Sequence, residues 1–243
     1  MKKIFFISIF IFTQNFLFSQ NDEFQEESPQ TMAIQKFGGA GGVVPMLGFF
    51  KNEEMNTILK NSNIPTLGTE PMYLLGGVGY AYIGFLPNVR IGGFGIGGKK
   101  TNPNVEYNIS YSGFLMDYVV TVVPKLDIAA GFTFGGGGVN ITLKKNTGTT
   151  RHWDNVWNDY KNDIPATYYT KNLNGSFFTF NPNLNIEYAI LKWLQVRVGV
   201  GYPMMFSPTW KLDGKDEILG VPEKLKADGV TMSAGVIFGI FSY

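Results

Sequence analysis

The chain has no cysteine and a single histidine in 243 residues. Without cysteine it cannot be a disulfide-stapled exported domain, so its stability must come from sheet closure or a core. With His152 alone, any Ser–His–Asp or histidine-metal site would have to be built around that one side chain. No segment after the first residues offers 18 consecutive apolar residues, which excludes a membrane-crossing helix. Twenty basic and 19 acidic residues leave a formal charge of +1, a balance that argues against nucleic acid as a partner.

What the chain has in quantity is glycine (30), phenylalanine (21) and tyrosine (12), a composition of β structure with tight packing and aromatic anchors. The first residues read as a removable signal peptide over 1–20. Lys2 and Lys3 form its positive end, Ile4 to Phe12 its apolar run, and "FSQN" the cleavage region near Ser19 or Gln20. With no cysteine after that point, a lipid-anchored lipoprotein is excluded. Residues 21–33 read as a polar, flexible periplasmic tail, and 34–243 as one β-barrel domain.

About eight segments alternate in polarity: 34–50, 71–84, 88–99, 104–120, 125–143, 175–190, 194–206 and 229–243. The links after the second, fourth and sixth are short ("FLPN", "VVPK", "LKW"), and the third, near "KKTNPN", is a turn of moderate length. Those after the first, fifth and seventh are long, over roughly 51–70, 144–174 and 207–228. Short turns on one side and long loops on the other are the asymmetry of a transmembrane barrel.

The faces point the same way. In "FTFNPNLNIEYAI" (178–190), Phe178, Phe180, Leu184, Ile186, Tyr188 and Ile190 alternate with Thr179, Asn181, Asn183, Asn185 and Glu187. Bulky side chains at 194–202 and 230–240 likewise oppose glycine and polar residues. A water-facing sheet would carry Lys, Glu and Asp on its second face; here that face carries glycine and whole strands lack charge. The bulky face is therefore assigned to lipid and the small, polar face to the lumen. On this reading Met72, Leu74, Val78, Tyr80 and Tyr82 face outward. Gly77, Gly79, Gly93, Gly95, Gly131, Gly135, Gly199, Gly201 and Gly235 line the lumen, either leaving room or permitting strong curvature. Pro182 interrupts a strand. The stretches "SGFLMD" (112–117) and "GGGG" (135–138) shift the alternation and read as β-bulges.

Candidate sites are few. "GFGIGG" (93–98) matches a dinucleotide fingerprint but no helix follows to hold a phosphate, so it reads as barrel strand. A turn centred on Lys192 places Glu187 opposite Arg197, predicting a lumenal ion pair. Two amphipathic helices are expected in the long loops. One begins at Asn52, with Met55, Ile58 and Leu59 on one face. The other carries Trp153, Trp157 and Tyr160, the candidate extracellular partner surface. The two are expected either to lie over the barrel mouth as lids or to form a docking surface. His152 sits in the same loop with Asp154 but without a serine elbow. No catalytic residue, cofactor or metal site is assigned.

The signal ending in "FSQ", the Gly- and aromatic-rich strands and the terminal "VIFGIFSY" resemble small outer-membrane β-barrel proteins of Bacteroidetes-type bacteria. The resemblance implies an all-β, closed antiparallel transmembrane β-barrel in outer-membrane lipid. It also implies biogenesis by the barrel-assembly machinery, which reads a terminal aromatic such as Tyr243. The function expected is a non-enzymatic structural or accessory subunit with an outer-membrane protein partner. A narrow channel or carrier for a small or hydrophobic molecule, a soluble exported lipid-binding β-barrel and a rim hydrolase using His152 stay open as alternatives.

Overall fold

The computed structural model describes residues 36–146, 161, 168–223 and 225–241. Eleven β segments form one antiparallel sheet closed on itself. They are β1 (Gly39–Val43), β2 (Met46–Phe50), β3 (Met72–Tyr82), β4 (Val89–Thr101), β5 (Val105–Val123), β6 (Leu126–Asn146), β7 (Tyr168–Leu191), β8 (Leu194–Gly201), β9 (Met204–Leu212), β10 (Asp216–Glu217) and β11 (Gly229–Gly239). β1 and β2 are two halves of one strand, interrupted where Pro45 lacks a donor. β8 and β9 are likewise split around Tyr202 and Pro203, and the two-residue β10 only extends β9. The ring therefore has eight strands.

Closure is visible in the register. Starting from Tyr82 on β3, the ladder runs through Arg90, Asp117, Gly131, Asn183, Gly201, Thr231 and Gly48. It returns to β3 at Met72, ten residues along the same strand. A stagger of this size in eight strands tilts them by roughly 40° and leaves an interior that side chains can fill.

The tilted sheet coils strongly, and inward glycines make this possible. Gly113 faces Gly135, and a Cβ on either would come within 2.6 Å of the other's Cα. A Cβ on Gly131 would run into the Met116 carbonyl. The inward glycines of β5 and β6 thus serve curvature rather than open space.

The alternation shifts near 112–117 and 135–138 are not bulges. The β5–β6 ladder runs unbroken from Val105↔Leu143 to Thr121↔Asp127, and β6–β7 from Leu126↔Tyr188 to Asn146↔Tyr168. The real irregularities lie at the bottom turns and opposite Ser207, whose φ is +48°. What changes at those stretches is polarity, not register. In the half nearer the short turns, the outside is apolar (Tyr118, Leu184, Ile186, Val198, Val236, Phe238) and the inside polar (Asp117, Asp127, Asn185, Glu187, Arg197). In the half nearer the long loops, the outside is polar (Lys99, Glu106, Asn108, Asn140, Asn172) and the inside is oil (Val105, Tyr107, Ile109, Ile141, Phe177, Trp210).

On β7 the outward apolar positions extend from Ile190 up to Phe178, an axial height of roughly 30 Å at this tilt. Leaving such side chains half exposed to water would forfeit on the order of 1 kcal/mol each. The belt has the dimensions of a bilayer core. The fold is a closed antiparallel transmembrane β-barrel whose upper part continues as a water-facing barrel with an apolar core. Among the described residues no helix is long and apolar enough to cross a membrane, which has no bearing on a barrel.

Candidate functional site

The lumen has three levels. At the lowest, Arg90 is fully buried between two carboxylates. Its NH1 donates to Glu187 Oε2 at 2.7 Å, and its Nε and NH2 donate to Asp117 Oδ2 at 3.1 and 3.0 Å. The guanidinium lies 3.9 Å from the centroid of the Tyr80 ring, and Tyr80 OH donates to Gln195 Oε1 at 3.1 Å. Glu187 pairs with Arg197 in register, but the salt contact is long, 3.6 Å from Arg197 Nε to Glu187 Oε1. Lys36 donates to Asp127, whose carboxylate also accepts from Thr121 Oγ1 at 2.8 Å. Three cations (Lys36, Arg90, Arg197) thus meet three anions (Asp117, Asp127, Glu187). A charge taken out of water in a narrow lumen is tolerated only with such partners.

At the highest level, an apolar core fills the barrel and is capped from the loop side. Helix α1 (Glu53–Asn61) lays Met55 and Leu59 onto it, and Leu67 and Ala227 join from the loops. Asn56 ties the helix to its return loop, accepting from Leu67 N–H at 2.9 Å and donating to Gly68 C=O at 3.3 Å. Asn102, in the turn between β4 and β5, donates to Pro65 C=O at 2.7 Å. Glu70 contacts Lys100, and its own backbone N–H, then Lys100, hold its carboxyl below the usual carboxylate range.

Between the two levels lies a cavity of about 70 Å³. Thr133, Asn181, Asn183, Asn185, Arg197 and Thr231 border it on the polar side; Val78, Phe94, Ile96 and Leu115 on the apolar side. Four of the residues that line it each carry a buried polar atom without a hydrogen-bond partner: Tyr111 OH, Thr133 Oγ1, Asn181 Oδ1 and Arg197 NH1.

Gly131, Gly135, Gly199, Gly201 and Gly235 face the lumen. At Gly199 and Gly201 the space of a Cβ is taken by the Asn185 and Asn181 amides. Gly77, Gly79, Gly93 and Gly95 do not belong with them: their α-hydrogens face outward, in step with the exposed Tyr73, Leu75 and Ile91. Met72, Leu74 and Tyr80 correspondingly point inward. The register gives the reason. The ladder that carries Arg90 and Asp117 inward also carries the even positions of β3, and the upper lumen is apolar, so bulk there marks the inside.

Ile58 is exposed on α1 while Met55 and Leu59 are buried. Trp153, Trp157, Tyr160 and His152 lie outside the described residues. Among the described residues no group of His, Asp and Glu converges as a metal site.

Arg90, Asp117, Asp127 and Lys36 were not picked out from the sequence. The signal was present for three of them: a charge at the lipid-facing height of a transmembrane strand has only the lumen to face, and each such charge implies a partner.

No protein-family profile and no curated protein matches the chain. Solved structures similar to it include Neisserial surface protein A (TM-score 0.46, 7% identity, 84% of this chain and 96% of that one). The attachment invasion locus protein Ail of Yersinia pestis gives 0.43 and 7%, over 85% and 99%. A major outer membrane protein from Thermus thermophilus gives 0.48 and 9%, over 83% and 99%. At such identities and TM-scores they lend no argument about activity, and the barrel assignment rests on the closed ladder and the two-zone polarity.

Proposed function

We propose that the chain is a non-conducting outer-membrane β-barrel, without enzymatic activity, that serves as a structural or accessory subunit and presents its loop-side cap to a partner protein. The short turns then face the periplasm, and residues 1–20 are the export signal. One observation carries this reading: the lumen is blocked on both sides of its small central cavity, by a charge-balanced cluster below and an apolar core above. A water-filled channel needs a continuous polar bore, and the apolar plug of Tyr107, Ile109, Ile141 and Phe177 interrupts it. The wide apolar belt likewise weighs against a soluble exported carrier. The extension of the barrel beyond the belt holds α1 and the long loops away from the bilayer surface, a suitable place for a protein contact.

Planar-bilayer recording of the purified, refolded barrel tests this. Absence of conductance steps is expected, both for the full chain and after removal of residues 147–167. Stable single-channel steps would overturn the non-conducting reading. Photo-crosslinking from Lys60 on α1 in intact cells is expected to yield one discrete adduct, whereas a bare barrel under all growth conditions would remove the accessory role.

A further inference from the structure

Two of the short turns have one form. Leu86–Pro87–Asn88–Val89 joins β3 to β4, and Val123–Pro124–Lys125–Leu126 joins β5 to β6. Each has proline second and a positive φ third, +62° at Asn88 and +74° at Lys125. In each, the third residue's carbonyl accepts from the following strand, from Val119 N–H and from Ala189 N–H, both at 2.9 Å. Glycine and asparagine suit the third position of such a turn; lysine holds it against backbone preference. Asn88 closes the same turn without that strain, so the fold gives no reason for a lysine at 125. Its ammonium is the remaining reason.

Lys192 stands on the neighbouring turn between β7 and β8, three residues after the Ala189 that bonds Lys125. Both lysines are exposed, and neither has an ion-pair partner among the described residues. The described acids of the lower barrel, Asp117, Asp127 and Glu187, are all buried in the lumen, while exposed acids such as Glu53, Glu70 and Asp216 belong to the loop end. Among the described residues the short-turn end is therefore cationic. The wall beside the two lysines is oil. Val120, Val122, Tyr188 and Ile190 are half-exposed there, and Trp193 stacks on Phe238. Apolar side chains reach the turn tips at Val123 and Leu191, so no polar band separates the belt from the ammonium groups. Acyl chains lying on this wall bring a phosphate to the height of the lysines.

We propose that Lys125 and Lys192 form a seat for the phosphate of an anionic phospholipid whose acyl chains lie on the outer wall of β5, β6 and β7. The seat goes beyond the accessory reading, which concerns the cap at the other end of the barrel. It needs only the bilayer placement of the apolar belt.

The test uses the refolded full-length barrel in phosphatidylcholine vesicles containing a minority of phosphatidylglycerol. A fluorophore is placed on Ile190→Cys beside the lysines or on Ala81→Cys across the ring, and the acyl chains of each lipid are brominated in turn. At 190, phosphatidylglycerol should quench with an apparent affinity about fivefold above that of phosphatidylcholine, the worth of one lysine near a charged lipid, and the ratio should fall at high salt. At 81 the two lipids should quench alike. Equal quenching at 190, or the same preference at 81, would overturn the seat. Lys125→Asn combined with Lys192→Gln should abolish the preference at 190, and an undiminished preference would overturn the seat as well. Lys125→Asn alone should weaken the preference while the urea midpoint holds or rises, because asparagine suits the turn. A lowered midpoint would mean that Lys125 serves the fold, and would remove the argument for its charge. No quenching by either lipid at either position would overturn the bilayer placement, and the seat with it. Conductance steps or a missing cap adduct would bear on the accessory reading and leave the lipid preference standing.

Discussion

Arg90 is the hinge of the lower lumen, because Asp117 and Glu187 both depend on it for hydrogen bonds in a place water does not reach. Arg90→Met leaves two buried carboxylates facing each other and should lower the unfolding free energy in detergent by about 3–5 kcal/mol. Urea midpoints of the heat-modifiable band measure it. Lys99→Ala, which removes an exposed contact to Glu106 at 2.6 Å, should cost less than about 1 kcal/mol in the same assay. Equal losses would mean that the cluster adds no more than a surface pair. The glycines divide in the same residue-by-residue way. Gly135→Val collides with the β5 backbone and should prevent barrel formation, judged by loss of the mobility shift. Gly93→Ala and Gly95→Ala place a methyl in ordinary contact on the outer wall and should fold normally.

Among the elements, α1 shows how the cap and barrel share one core. Its acidic first turn (Glu53, Glu54) and basic last turn (Lys60) suit the helix dipole, and its apolar stripe is narrow. Nine residues are too few to be stable alone, so the helix exists because Met55 and Leu59 complete the barrel's apolar plug. Leu59→Ala should cost about 2–4 kcal/mol of cap stability. Hydrogen exchange should then rise in α1 and in the loop to Gly68 while β5–β7 remain protected. Uniform exchange across α1 and β5–β7 would mean that the cap is not a separate unit. β5, β6 and β7 are the longest strands and carry both zones, so each reverses its inside and outside polarity partway along without changing register.

At the level of the whole molecule, this reversal predicts where the bilayer ends. Single cysteines are available as probes because the chain has none of its own. A fluorophore at Leu184 or Val198 should be quenched strongly by brominated acyl chains, and one at Asn108 or Asn140 should not. Quenching at Asn140 equal to that at Val198 would place the upper zone in lipid and remove the water-facing extension.

How much of this was legible in the sequence depended on the part of the barrel. For β7, β8 and β11, period-two alternation named the lipid face, because there the outside is oil and the inside amide and charge. The loop lengths gave the up-and-down order, and Asn52 followed by the apolar spacing of Met55, Ile58 and Leu59 gave the position of α1. For β3 and β4 the same rule assigned Gly77 and Gly93 to the wrong side. Alternation reports that two faces differ, not which solvent each meets. A barrel that has oil outside below and inside above supplies both patterns in one strand.

The sequence by itself determined that this is a β protein of eight alternating strands with short turns on one side and a belt for lipid, because local patterning and turn chemistry are encoded residue by residue. Tertiary structure alone decided which charges meet, that Arg90 rather than Arg197 holds Glu187 most closely, and where the lumen is plugged and where it is hollow. Those outcomes follow from the ten-residue stagger of closure, which sets residues from opposite walls face to face and which no single strand specifies.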